Sequence, residues 1–206
     1  MRALDQILAE SAKRHKHLCP RQVLGARMGL YAAELLGLEL PRTDKRLLVI
    51  SETDGCAVDG LIAATGCRVG SRTLRILDFG KVAATFADTN TDESIRIVPR
   101  LQARLTSAEH APDASSNWEA MLLGYQVMPA SELYDVQRVK LDKPISEIIS
   151  YPGSKAVCKF CGEEIMNGRE VLNNDIVLCR ACAGESYYHS FAESMTAEIV
   201  DRIKGN

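Results

Sequence analysis

Four cysteines in the last quarter of the chain form the most specific chemical pattern in the sequence. Cys158 and Cys161 make one C-x2-C pair, Cys179 and Cys182 make another, and 17 residues separate the pairs. Two such pairs at this spacing are typical of a structural zinc site, in which four thiolates close a tetrahedron around the ion. The sequence therefore predicts a closed zinc site. Asp175, close to the second pair, is an alternative ligand.

Histidines and a cysteine are also concentrated near the N-terminus. His15, His17 and Cys19 lie within five residues, and Pro20 suits the first turn of a helix. Cys19 would then stand at a helix start, where the helix dipole is expected to lower the pKa of its thiol. Imidazole and thiolate donors together suit zinc or another transition ion.

A second helix-start cysteine follows a short apolar segment. Cys56 comes after a predicted turn, and Asp59 lies three residues further on, on the same face of the predicted helix. Cys19 and Cys56 could bind one ion, and fewer than four protein ligands would leave a coordination position for a substrate. In the alternative interpretation, Cys56 and Cys67 are small core residues and the histidines lie on the surface. A redox interpretation pairs Cys56 with Cys67, whose separation is not C-x-x-C.

Hydrophobic periodicity predicts the elements that must position these residues. Predicted helices begin near residues 4, 20 and 56 and cover 118–127, 131–134 and 183–203, and predicted strands cover 46–52, 73–77, 82–87 and 94–98. Strands mixed with helices without strict alternation indicate an α+β fold. Residues 151–155 (YPGSK) have the composition of a linker. We therefore expect a core domain over 1–150 and a zinc-finger domain over 151–206.

The overall composition excludes several classes of protein. Of 206 residues, 46% are hydrophobic and 25% are charged, and the formal net charge is −2, which is typical of soluble globular domains. No apolar run reaches the roughly 18 residues of a membrane-spanning helix, and the N-terminus lacks the apolar stretch of a secretory signal. We expect a cytoplasmic protein that does not contact a membrane. In that reducing compartment, seven cysteines favour metal ligation over disulfides.

The charge of the C-terminal region bears on its partners. Residues 152–206 contain six Lys or Arg and eight Asp or Glu. Binding of nucleic acid requires a basic surface that neutralises phosphates. The sequence therefore argues against nucleic acid and favours a zinc finger that docks on a protein or dimerises.

Five short motifs occur in order along the first half of the chain. They are HKHLCP (15–20), GARMG (25–29), ETDGCAVD (52–59), TGC (65–67) and DFGK (78–81). These motifs resemble the FmdE family of formylmethanofuran dehydrogenase subunits, some members of which carry a C-terminal zinc finger. The resemblance covers about residues 10–100. It implies a mixed five-stranded α+β core, thioredoxin-like in outline, a metal in the active site and a homodimer.

The resemblance also implies roles for individual residues. The implied metal ligands are His17, Cys19 and Cys56. His15 and Cys67 are alternates or pocket residues, Asp59 orients a ligand or accepts a proton, and Lys81 places a positive charge near an anionic substrate. Cys19, Cys56 and Asp59 are then the candidate catalytic residues.

Two positions depart from the family pattern. Lys16 and Arg21 stand where glycine is usual, and both add charge beside the expected pocket. The substrate or partner is therefore not carried over from the family.

Two functions follow from these features. The first is a metal-binding enzyme or enzyme-associated subunit linked to molybdenum or tungsten formylmethanofuran dehydrogenase and anaerobic one-carbon metabolism. The chain has no four-cysteine ferredoxin run and no phosphate-binding glycine loop, so other proteins of the complex would supply an iron–sulfur cluster or a nucleotide. The second is a zinc-dependent protein-binding or regulatory module.

Overall fold

The structure, a computed structural model, describes residues 3–149 and 153–189. The chain divides into two compact units, Met1–Ser150 and Tyr151–Asn206. No helix within the described residues is long and apolar enough to cross a lipid bilayer.

The helices of the larger unit lie close to their predicted positions. They are α1 (Leu4–His15), α2 (Pro20–Leu36), α3 (Ala57–Thr65), α4 (Ala103–Thr106), α5 (Asn117–Val127), α6 (Ala130–Leu133) and α7 (Ile145–Ile149), with a 3-10 turn at Ser107–His110. Helix α2 stops at Gly37, which adopts a left-handed conformation with φ of 62° and caps the helix. The structure therefore confirms the predicted helices that begin near residues 4, 20 and 56.

A five-stranded mixed sheet forms the centre of this unit. Its strands are β1 (Leu47–Ser51), β2 (Leu74–Ile76), β3 (Ala84–Asp88), β4 (Ser94–Pro99) and β5 (Tyr134–Arg138). They are arranged in the order β2-β1-β3-β4-β5. β1 and β2 pair in parallel, and the other pairs are antiparallel. The predicted mixed sheet with flanking helices is confirmed.

Side chains alternate between the two faces of the sheet, as the pleat requires. Val49 and Phe86 point into the main core, which lies between the sheet and helices α1, α2, α3 and α5. Leu48 and Ile50 point to the opposite face, where Ile145 of α7 covers them. Both faces of β1 are thus buried, which explains its uninterrupted apolar sequence.

Helices α2 and α3 pack backbone to backbone through two glycines. A Cβ atom on Gly25 would lie 2.0 Å from the carbonyl oxygen of Ala57, and a Cβ on Gly60 would lie 2.1 Å from that of Gln22. Further along, Gly29 faces Ala64. Because residue numbers rise together along this contact, the helices run parallel. Their N-termini therefore lie at the same end of the domain.

The smaller unit consists of two β-hairpins and a short π-helical turn. The strands are β6 (Lys155–Val157), β7 (Glu164–Met166), β8 (Val171–Asn173) and β9 (Ile176–Leu178), and the turn covers Ala181–Glu185. Ser186 is extended and residues 186–189 form no helix, so a helix continuing from residue 183 is wrong for this stretch. The remainder of that predicted helix lies outside the described residues.

Candidate metal centres

The four cysteines of the smaller unit form a compact cluster of sulfur donors. Cys158 and Cys161 flank the turn between β6 and β7, and Cys179 follows β9 directly. All four Sγ atoms lie within 4.8 Å of one another, and Cys161 Sγ lies 3.9 Å from Cys179 Sγ. Four sulfurs about 2.3 Å from a tetrahedral zinc ion are separated by about 3.8 Å. The cluster therefore fits a zinc ion, and the predicted C-terminal zinc site is supported.

The electrostatics of this cluster also require a cation. Backbone N–H groups of Cys161 and Cys179 lower the pKa of the Cys158 thiol to about 6. The neighbouring Cys179 side chain is the main cause that raises the pKa of Cys182 to about 12. Four negative charges so close together repel one another, and a divalent ion removes that repulsion.

Asp175 does not join this cluster. Asn174 and Asp175 form the two-residue turn between β8 and β9, with φ of 48° and 64°. Such a turn needs two left-handed residues, and Asn and Asp tolerate that conformation. The sequence near Cys179 is therefore explained by hairpin geometry.

In the larger unit, one histidine connects an acid to a thiol. His15 is the last residue of α1, and its Nε2 lies 3.4 Å from Cys56 Sγ. Its Nδ1 lies 3.3 Å from Asp59 Oδ2. Asp59 can accept a hydrogen bond from Nδ1–H, which leaves the Nε2 lone pair facing the sulfur. A carboxylate that orients a histidine in this way is common next to metal ions.

Cys19 approaches the same point from the start of α2. It is the N-cap residue of that helix, with extended backbone angles, and its thiol is within hydrogen-bonding range of Cys56. Burial raises the pKa of the Cys19 thiol, the backbone N–H of Gln22 opposes the shift, and Cys56 adds to it. The expected lowering of the Cys19 pKa is therefore wrong, because desolvation outweighs the helix N-terminus.

The structure favours His15 over His17 as the imidazole donor. Lys16 is left-handed, with φ of 64°, and turns the chain at the end of α1. His17 is exposed, and its ring meets the edge of His15 with a centroid separation of 5.0 Å. No contact of His17 with either cysteine is present among the described side chains, so its order of preference over His15 is not supported.

Cys67 lies away from this group. It follows the C-terminal end of α3, whereas Cys56 precedes the N-terminal end of this nine-residue helix, which is about 14 Å long. Cys67 is buried, donates to the carbonyl oxygen of Leu47 at 3.4 Å, and has its pKa raised by burial. The structure therefore does not bring Cys67 to Cys56, and the redox pairing of the two has no geometric basis.

Lys81 lies on the loop beside the β1–α3 turn. Its backbone N–H donates to the carbonyl oxygen of Glu52 at 3.1 Å, and its side chain is exposed. The Lys81 charge also contributes to lowering the pKa of Glu52, after the larger effect of Arg96. Lys81 is thus near the turn that carries Cys56, on the solvent side.

Sequence reasoning missed the ion pair that fixes this turn. Glu52 directly follows β1 and is buried, and Arg96 on β4 donates to its two carboxylate oxygens at 2.5 and 2.8 Å. The two residues are 44 positions apart, so only the sheet pairing brings them together. No local spacing could have revealed the contact.

The two centres differ in how closely their donors are gathered. Within residues 3–149 and 153–189, only the four finger cysteines have donor atoms that all lie within 4.8 Å of one another. In the larger unit, the His15–Cys56 separation of 3.4 Å is close to the roughly 3.6 Å expected for nitrogen and sulfur on one tetrahedral ion. A first pair of donors is therefore in place, with Cys19 beside it.

A mixed α/β domain followed by a four-cysteine zinc finger is the class of protein that fold and sites define. The family described as "FmdE, Molybdenum formylmethanofuran dehydrogenase operon" matches residues 14–135, and the family described as "Prokaryotic dksA/traR C4-type zinc finger" matches residues 150–188. The chain belongs to the FmdE family and binds metal through its C-terminal zinc finger.

Individual relatives support this assignment. A "Probable S-adenosyl-L-methionine-binding protein" of Archaeoglobus fulgidus is 30% identical over 207 aligned positions, which include 90% of this chain and 54% of that protein. The chain thus spans about half the length of this relative. The crystal structure of an FmdE-like protein of tungsten formylmethanofuran dehydrogenase from Syntrophus aciditrophicus is similar with a TM-score of 0.58. It is 19% identical, and the match covers 91% of this chain and 96% of that one, which shows a shared fold.

Proposed function

We propose that the larger domain holds a second transition-metal ion, and that the protein is an enzyme-associated metal-binding subunit of one-carbon metabolism. The ion would be bound by His15, Cys19 and Cys56, with Asp59 orienting the histidine. The line from Asp59 through His15 to Cys56 is the single observation that carries this proposal.

Each side chain in this line has a definite task. Asp59 holds the proton of His15 on Nδ1, so that Nε2 can act as a donor. Cys56 and Cys19 supply sulfur donors from two helix starts, where backbone N–H groups favour a thiolate. A bound ion would supply Lewis acidity, and three protein ligands would leave it accessible to another molecule.

The link to one-carbon chemistry comes from the family and from the similar FmdE-like structure. We extend the proposal to a homodimer that joins the subunits of a molybdenum or tungsten dehydrogenase. These subunits would supply the redox centres, because this sequence contains no ferredoxin-type cysteine run.

Metal analysis of the purified full chain tests the second site. We expect about two equivalents of metal per chain, falling to about one in Cys19→Ser or Cys56→Ser, since the finger binds the other ion. Cys67→Ser is the matched control, because Cys67 is a cysteine of the same domain that lies in the core. Its metal content should remain at about two equivalents.

Two results would contradict the proposal. One equivalent in the wild-type chain and in all three variants would exclude the second ion. Light scattering on the same preparation should give the mass of a dimer, and co-expression with the dehydrogenase subunits should yield one co-eluting complex. A monomer that elutes apart from those subunits would remove the partner part of the proposal.

A second candidate function is supported by the surface of the zinc finger. Phe160 and Tyr187 are 85% and 96% exposed, which is unusual for aromatic side chains. Residues 153–189 contain four basic and five acidic side chains, and a zinc ion with four thiolates adds two negative charges. This surface would suit a protein partner with a basic surface. Salt-dependent retardation of a DNA probe would contradict it.

A further inference from the structure

A buried glutamine connects the cysteine at the start of α2 to helix α1. Gln22 is the third residue of α2 and is completely buried, as is Ser11 on α1. The Gln22 side-chain oxygen accepts a hydrogen bond from the backbone N–H of Cys19 at 2.8 Å. Its Nε2 donates to the carbonyl oxygen and to the hydroxyl of Ser11, both at 3.0 Å.

The chemistry of the partners fixes the orientation of this amide. The Ser11 carbonyl oxygen can only accept, and the Cys19 backbone N–H can only donate. The amide nitrogen must therefore face Ser11, and the amide oxygen must face Cys19. A leucine of similar volume would fill the same space without any polar group that needs a partner, so packing alone does not explain a glutamine here.

The same residue also contacts the sulfur. The backbone N–H of Gln22 points at Cys19 Sγ, and together with the side-chain bond it closes a capping box. Cys19 is thus held through both its backbone and its thiol. The direction of its Sγ toward Cys56 depends on these two contacts.

Helix α1 is the second element that this glutamine fixes. His15 lies four residues after Ser11, about one turn further along α1 and on the same face. One buried amide therefore links the backbone that aims Cys19 to the helix that carries His15.

We infer that Gln22 is a positioning residue of the metal site in the larger domain, a role that rests on the proposed function. It does not bind the ion. It sets the relative placement of the Cys19 sulfur and the His15 imidazole, which come from different helices.

Cobalt(II) titration of the full chain tests this role. The finger is first loaded with one equivalent of zinc, and the thiolate–cobalt absorption of the second site is then followed. The Cys19→Ser chain, which keeps the finger, serves as the blank. Gln22→Leu should raise the cobalt Kd about tenfold or more, as expected for loss of an outer-sphere partner, and should change the absorption spectrum.

Two further variants separate positioning from folding. Gln22→Glu keeps the acceptor for Cys19 but loses the donor to Ser11 at neutral pH, so its Kd should lie between wild type and Gln22→Leu. Ser11→Ala removes one bond at the far end of the same amide and should leave the Kd within about twofold. Wild-type Kd and spectrum in both folded Gln22 variants would overturn the inference.

A metal-free measurement distinguishes this inference from the proposed function. Cys19 is 8% exposed, and iodoacetamide alkylation followed by mass spectrometry should modify it several times faster in Gln22→Leu than in wild type. Cys67 provides the internal reference for global unfolding. Failure of the wild type to bind cobalt would refute the metal site, whereas unchanged Cys19 alkylation would refute the role of Gln22.

Discussion

Replacement of Gly25 by alanine is the most direct perturbation of how the larger domain positions its cysteines. Gly25 lies on α2, six residues after Cys19, and faces the carbonyl oxygen of Ala57, the residue after Cys56. The added methyl group would therefore act where the two helices that carry the thiols are closest.

The expected magnitude follows from the contact distances. The new Cβ would lie 2.0 Å from Ala57 O and 2.9 Å from Ala57 C, both backbone atoms that cannot rotate away. Ordinary contact needs about 3.5 Å, so the helices must separate by more than about 1 Å. Such overpacking costs about 1–3 kcal/mol or more, against a gain of about 1 kcal/mol from the helix propensity of alanine. We expect a net destabilisation of about 2 kcal/mol.

Urea unfolding measures this change in the correct domain. Trp118 is the single tryptophan and lies on α5, which packs against α2. Its fluorescence therefore reports the larger domain. Metal binding provides the second readout, since ligand positions in a metal site tolerate errors of only about 0.2 Å. We expect the affinity of the second site to fall about tenfold.

Gly29→Ala is the matched control on the same helix. Its Cβ would meet only the side-chain methyl groups of Ala64 and Thr65, each at 3.0 Å, toward the end of α2 away from the cysteines. It should cost less stability than Gly25→Ala and leave metal affinity unchanged. If Gly25→Ala were as stable as wild type and bound metal equally well, close packing of α2 on α3 would not be what brings Cys19 and Cys56 together.

Two further variants test the ion pair and the zinc finger. Arg96 lowers the pKa of Glu52 below its ordinary 4.5, so the pair stabilises the fold above that pH and the effect is lost as pH falls through the lowered value. Glu52→Gln should therefore cost about 2 kcal/mol at pH 7 and much less at pH 3 in urea unfolding, and a cost independent of pH would contradict this. Cys182→Ser should remove one metal equivalent while Trp118 fluorescence stays native. Loss of the Trp118 signal would show that the finger also maintains the larger domain.

Much of the fold was predictable because local patterns determine it. The periodic apolar residues of α1 and α2, Pro20 at a helix start and Gly37 at a helix end predicted two helices within one or two residues. Strand β5 was not predicted, because four of its five residues are exposed and give no apolar alternation. Its position depends on pairing with β4, which no local pattern encodes.

The candidate site was predictable in its residue types but not in its arrangement. The spacing of the finger cysteines specified their cluster, since both pairs come from tight turns. In the larger domain, the choice of His15 over His17 depends on the left-handed Lys16, and nothing in the spacing distinguishes the two histidines. The meeting of Cys19 with Cys56 depends on a glycine contact between helices, which only the folded chain reveals.

The backbone contact between α2 and α3 bears on how the protein responds when metal is scarce. Packing of the main core, without any ion, holds these helices together, so the larger domain would stay folded and ready to reload. The finger has only three-residue strands and a cluster of mutually repelling sulfurs, so its shape depends on zinc. Starvation would therefore dissolve one domain while leaving the other intact but idle.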